Sequence, residues 1–220
     1  MEIKIVGRYG EAKIFAVDDE KIAVDEYAKA QIKVLCDNEA SKNVKIRVMP
    51  DVHPAKVSTV GLTMTVGEKI LPSLVGIDIG CGVSVVKLQK FRPEFQKVDK
   101  IISENISTER GVRKKISASA EDFNFEKIFA NFNRSRAIKS LGTLGFGNHY
   151  IEIDVDDAKN YYLCVHSGSR HLGKEVAEFY LTEGQKILKS RGENVAYELT
   201  YLEGEMLEKY LCDLKIVQEF

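Results

Sequence analysis

Four short segments of this 220-residue chain gather the residue types that do chemistry. In Met49-Pro50-Asp51-Val52-His53-Pro54 two prolines fix the backbone and present Asp51 and His53 from a rigid turn. A capped turn with a solvated histidine explains that segment equally well. In Gly76-Ile77-Asp78-Ile79-Gly80-Cys81-Gly82 the glycines leave room around a carboxylate and a thiol three residues apart. Asp78 and Cys81 are sensible ligands for a divalent ion, and a thiolate can bridge two ions. Taken alone, a buried cysteine beside a turn aspartate is the commoner arrangement. Leu141 to Tyr150 is glycine-rich but matches neither GxGxxG nor GxxxxGK[ST], so no Rossmann or P-loop reading follows. Its amides can form an anion nest with Asn148 and His149 directed at the same spot, or a plain glycine turn. In Val165-His166-Ser167-Gly168-Ser169-Arg170 a strand delivers His166 and the turn opens a helix; helix N-termini and arginine forks both suit phosphate. A capped helix start with a packed histidine is the alternative.

Each segment is weak alone; their conjunction is a plausible metal set of Asp78, Cys81, His149 and His166, with a glycine nest and Arg170 for a phosphorylated substrate. On donor type alone, sulfur and imidazole lean towards Zn²⁺. Cys36, Cys164 and Cys212 fall inside predicted elements and read as packing thiols, and His171 reads as solvated.

The elements that must position these residues are legible from periodicity. Val24, Ala28, Ile32 and Leu35 predict a helix between Asp25 and Cys36. Ile46 to Met49 predicts a short strand stopped by Pro50. Thr59 to Val66 alternates, with Val60, Leu62, Met64 and Val66 on one face. Val83 to Leu88, Tyr150 to Val155 and Tyr161 to Val165 are further strands. Phe91 to Ser140 is more polar, carries the basic clusters Arg110/Arg113/Lys114/Lys115 and Arg134/Arg136/Lys139, and reads as surface helices and loops. Leu172, Val176, Phe179 and Tyr180 start a helix expected to break near Gly192. A last stripe, Leu207, Tyr210, Leu211, Leu214 and Val217, runs to Phe220 with no helix-ending residue. That predicts an apolar face with neither cap nor packing partner, as in a truncated chain. The fold class expected is α+β, a mixed sheet core with flanking helices and a metal and nucleotide cleft at strand edges.

Composition narrows the class. Hydrophobic residues at 44% against 30% charged exclude disorder, and 32 basic against 33 acidic residues leave a net charge of −1. Any polyanion site must be local. The apolar run from Ile70 to Ile77 is far too short to span a bilayer, and Glu2, Lys4 and Arg8 argue against a secretory signal. Four scattered cysteines without a CxxC pair fit reduced thiols in the cytoplasm.

At the four clusters the chain resembles the RtcB family of RNA-splicing ligases: MPDVHP, GIDIGCG, LGTLGFGNHYIEI and VHSGSRHLG occur in the family's order and approximate spacing. The similarity extends through YLEGEMLEKYLCDLKIVQEF, so residues 1–220 are expected to be the N-terminal portion of one RtcB-type ligase domain. The resemblance implies a GTP- and Mn²⁺-dependent ligase, with two ions, that joins RNA 2′,3′-cyclic phosphate or 3′-phosphate ends to 5′-hydroxyl ends, as in tRNA splicing and RNA repair. By family match, Cys81 bridges both ions, Asp78 and His149 complete one site, and His166 belongs to the other. Asn148, His149, Tyr150, Ile151 and Glu152 match the GTP-contacting run, with Glu152 towards the guanine. Asp51 matches an active-site aspartate and Arg170 an arginine that holds RNA phosphate.

Departures matter. Pro54-Ala55-Lys56-Val57 replaces a glycine-containing turn, which puts a Lys56 role in doubt, and Phe146 stands where a small residue is usual. The family continues past the segment resembling Leu211 to Phe220, and its nucleophilic histidine has no counterpart here. An incomplete or split ligase, with a separate C-terminal half or accessory factor as partner, is therefore the expectation. A metal-dependent phosphodiesterase and a non-catalytic nucleotide- or RNA-binding fragment are the alternatives.

Overall fold

The computed structural model describes residues 2–16, 23–89, 94–108, 111–145 and 147–220. Phe91, Arg110 and Phe146, singled out above, lie outside the described residues. The chain divides into two compact units, Met1–Gly76 with Tyr180–Tyr210, and Ile77–Phe179 with Leu211–Phe220.

The first unit opens with an antiparallel hairpin, β1 (Glu2–Val6) and β2 (Glu11–Phe15), followed by α1 (Glu26–Cys36). Asp25 starts α1 by accepting from the amides of Tyr27 (2.7 Å) and Ala28 (3.2 Å), two of the donors a helix start leaves unpaired. The predicted stripe Val24, Ala28, Ile32 and Leu35 is buried. Because α1 carries the chain across the sheet, β3 (Ile46–Val48) pairs parallel with β2, and β4 (Leu62–Met64) then pairs antiparallel with β3. Ile14, Ile46 and Val48 from the sheet and Ile32 and Leu35 from α1 form a closed core, each side chain essentially out of water. Burial of that kind stabilises by about 1.5–3 kcal/mol per side chain. β5 (Lys69–Ile70) and α2 (Pro72–Val75) complete this stretch.

The strand predicted over residues 59–66 shrinks to three residues. Gly61 takes a φ of +79°, which breaks the extended run, and Val60 and Val66 are exposed while Leu62 and Met64 pack against the core.

The second unit holds β6 (Gly82–Leu88), α3 (Phe95–Asn105), α4 (Ala118–Glu121), α5 (Arg134–Ser140), β7 (Tyr150–Val155) and β8 (Tyr161–Ser167). Its sheet is antiparallel in the order β6-β8-β7, so β8, the strand ending at His166 and Ser167, is central. The polar stretch before β7 is helices and loops, as expected, but it also buries Phe125 and Ala137.

α6 (Arg170–Ser190) starts in the second unit and continues into the first, where β9 (Leu202–Glu203) pairs with β5; α7 (Gly204–Glu219) ends the described chain in the second unit. Two expectations for α7 are overturned. Its last turn has packing partners: Val217 is buried and the Phe220 ring lies 5.3 Å from Phe123 and 5.7 Å from Phe125. Cys212 is exposed rather than packed, because α7 turns Asp213 inward in its place. The fully buried Asp213 carboxylate accepts from the amides of Phe129 and Ala130, both at 2.9 Å, which offsets its loss of water. One mixed four-stranded sheet, one antiparallel three-stranded sheet and a third of only two strands, with helices packed around them, make an α+β fold.

Candidate metal and anion site

The second unit brings Asp78, Cys81, His149 and His166 together, all four residues of the expected metal set. Asp78 and Cys81 sit on the turn entering β6, where the Cys81 amide donates to the Asp78 carbonyl at 3.2 Å and Gly80 takes a φ of +77°. His149 immediately precedes β7, and His166 lies in β8 directly opposite Val83 and Tyr150. Cys81 is the centre. Its Sγ lies 2.9 Å from His166 Nε2 and 3.8 Å from His149 Nε2, and His149 Nε2 lies 2.8 Å from Asp78 Oδ2. Asp78, Cys81 and His149 thus offer oxygen, sulfur and nitrogen donors within 4.8 Å of one another, and His166 Nε2 lies against the same sulfur.

Glycine makes this possible at two positions. A Cβ on Gly168 would come within 2.3 Å of Asp78 Oδ1, and one on Gly145, whose φ is +94°, within 1.9 Å of the Arg170 guanidinium. Side chains at either position would push a site group aside. Arg170 itself adopts a φ of +57°, a left-handed conformation that costs an L-residue roughly 1–2 kcal/mol, so packing around it must hold it there.

The electrostatics suit a cation at the sulfur and an anion nearby. Desolvation, then the hydrogen bond to Asp78, push the Cys81 thiol up to about 11, so without a metal it is protonated. A bound divalent ion reverses that preference, because only the thiolate ligates. His149 Nδ1 lies 3.1 Å from the Leu144 carbonyl and 3.0 Å from Arg170 Nη1. If Nε2 takes an ion, Nδ1 must carry the hydrogen and donates it to Leu144, the usual orienting bond for a ligating imidazole, and the Arg170 guanidinium, itself only a donor, cannot then hydrogen-bond to that nitrogen. Arg170 also donates from Nε to Thr143 Oγ1 at 3.3 Å, and burial lowers its pKa.

A cavity of about 250 Å³ opens beside the cluster, lined among others by Asp78, Asn148, His149, Arg170, Arg136 and Lys174. Three cationic side chains face it against one carboxylate. Sequence reading placed Asn148 and Arg170 at a phosphate site; it did not single out Lys174, whose only signal was its position one turn after Arg170 on the helix start. Strand alternation divides the remaining residues. Tyr150 and Glu152 share a face of the sheet with His166, the Tyr150 ring 5.2 Å from the His166 ring, while Ile151 lies on the opposite face and lines a second cavity of about 380 Å³ with Val165 and Ser167. Asp51 belongs to the first unit, exposed in the turn after β3, where a Cβ on Gly61 would come within 2.7 Å of its Oδ1. His53 Nδ1 lies 2.7 Å from the Asp51 carbonyl.

The fold and site define an α+β protein whose central thiol is flanked by carboxylate and imidazole donors beside a basic cavity. Comparison with known proteins narrows this. The family model described as tRNA-splicing ligase RtcB matches residues 38–131 and 120–220. The chain is 30% identical over 200 residues to the RNA-splicing ligase RtcB of Escherichia coli K12, covering 80% of this chain and 49% of that protein. It is 26% identical over 202 residues to the tRNA-splicing ligase RtcB of Aeropyrum pernix, covering 66% and 42%. The protein belongs to the RtcB family. It spans about half the length of the curated relatives it matches.

Proposed function

We propose that this chain carries the metal- and nucleotide-binding portion of a GTP- and Mn²⁺-dependent RNA ligase that joins 2′,3′-cyclic phosphate or 3′-phosphate ends to 5′-hydroxyl ends. The observation that supports this most is the Cys81 thiol, gathered with Asp78, His149 and His166 next to a cavity lined by arginine and lysine. The donors fit two divalent ions: Asp78, Cys81 and His149 would hold one, Cys81 and His166 would contribute to the other. When bound, such ions orient a phosphoryl group and neutralise charge at the reacting oxygens.

The chain's own residues supply the rest. Asn148 lines the cavity and can donate its amide hydrogens to phosphate oxygens, and Arg170 presents a planar fork of donors held in place by Thr143. Glu152, on the His166 face, can accept from the guanine N1 and N2 hydrogens. Among the four histidines, His149 and His166 are committed to ligation, and His53 and His171 lie in motifs the family does not use for attack on GTP. The covalent guanylyl step therefore depends on a residue this chain does not supply. The test is incubation with α-labelled GTP and Mn²⁺, followed by denaturing separation, for this chain alone and for the chain co-expressed with the part of the E. coli ligase that it does not match. Label only in the second sample is expected. Label on the 220-residue chain alone overturns this division of labour.

A further inference from the structure

The second unit leaves its sheet open along β6. That strand pairs with β8 over all seven of its residues and, among the described residues, with no strand on its other side. Every second residue of β6 therefore turns its backbone N–H and C=O away from the sheet. Val83 and Val85 point to one face and Val86 to the other, and they are 53%, 58% and 56% exposed. A seven-residue strand with valines bare on both faces is what a protein in water normally blunts with charge, proline or a bulge, and only Lys87 does so here. The next element repeats the pattern. α3 places Phe95, Val98, Ile101 and Ile102 on one stripe, yet none of its residues is buried, and Phe95 and Ile101 are 56% and 52% exposed. In the first unit the equivalent stripe of α1 is fully covered.

The relatives indicate what covers it. The E. coli protein extends over about twice the length that this chain matches, so roughly half of it has no counterpart here. We infer that the open edge of β6 and the apolar stripe of α3 are the seat of the ligase's remaining half, which adds a β-strand to β6 by backbone hydrogen bonding and buries the valines on both faces. The proposal rests on the family assignment and not on ligase activity, so its test reads assembly rather than joined RNA.

The experiment co-expresses the full 220-residue chain with a tagged form of the unmatched part of the E. coli ligase, then measures co-purification and amide hydrogen exchange. The expected result is a 1:1 complex in which outward-facing amides between Ser84 and Leu88 exchange at least tenfold more slowly than in the chain alone. A Val85→Lys/Val86→Lys double variant should lose at least tenfold in complex affinity; its metal binding should not change, because neither residue touches the cluster. No complex, or a complex in which β6 amides are unchanged, overturns the proposal. Protection of β6 that grows with the concentration of the chain alone also overturns it, by assigning the edge to a second copy of this chain.

Discussion

The two units use the same elements to different ends. In the first, β2, β3 and α1 enclose a core of aliphatic side chains. In the second, the central strand β8 ends at His166 and Ser167, Gly145 and Gly168 let site side chains approach the backbone, and β6 is bare on both faces. Closed packing gives stability; the open, glycine-rich unit gathers the donor cluster and the basic cavity. The contrast also separates two kinds of sensitivity, since a change in the first unit should be read in stability and one in the second in binding.

The largest effect should come from the closed core. Ile32→Ala removes a fully buried side chain between α1 and the sheet and should cost about 2–5 kcal/mol in urea unfolding, with Mn²⁺ affinity of the folded protein unchanged. Val85→Ala on β6 should cost less than about 0.5 kcal/mol, as for other exposed positions. Equal costs at the two positions would erase the distinction.

Next comes Gly168→Ala. Its new methyl would meet Asp78 Oδ1 at 2.3 Å and displace a ligand oxygen, so Mn²⁺ affinity should fall by roughly 10–100-fold, the range typical of disturbed ligand orientation. Gly168 has an ordinary φ, so stability should barely move. A stability loss with intact metal affinity would make this glycine structural.

Smaller still is the acid response of the first unit. Lys69 pairs with Glu39 at 2.5 Å and Glu203 at 3.2 Å, and Arg191 also pairs with Glu203. Hydrogen bonds from Lys69 and Arg191 hold both carboxyls below the ordinary 4.5, and the same bonds raise Lys69 above its ordinary 10.5 against the effect of burial. Depressed carboxyls contribute stability that is complete above their unfolded pKa and lost as pH falls through the folded value; the raised lysine contributes below 10.5 and loses its contribution only above it. The urea midpoint should therefore hold between about pH 5 and 10 and drop below about 4.5. In Lys69→Met that acid-side drop should flatten. The smallest effect belongs to the exposed Lys100–Glu104 pair on α3, at 3.8 Å, where Lys100→Ala should stay within about 0.5 kcal/mol.

How much of this was legible in the sequence follows from the same contrast. The helix at Asp25 to Cys36 and the strands at β7 and β8 were readable because apolar periodicity and a cap agree with tertiary burial. The strand over residues 59–66 was overdrawn, since alternation alone does not reveal that Gly61 takes a positive φ. On α7 the inward stripe is Tyr210, Asp213 and Val217, and a buried aspartate satisfied by two backbone amides has no apolar signal to announce it. At the site, Asp78, Cys81, His149 and His166 were legible because glycine and metal-ligand types coincide at strand edges. The lysine of the cavity wall was not, because helical spacing alone did not say that its face meets a pocket.

The central claim is that Cys81 is a metal ligand. Co²⁺ tests it directly, because a thiolate bound to Co²⁺ gives a ligand-to-metal absorption that oxygen and nitrogen donors do not. The full chain should show that absorption on titration. Its apparent affinity should rise with pH, since binding must expel the Cys81 proton, which burial and Asp78 hold on the sulfur. Cys81→Ser should lose the band even though Cys36, Cys164 and Cys212 remain. The same band at the same affinity in Cys81→Ser, or no band in the native chain at any pH where it is folded, would contradict the account.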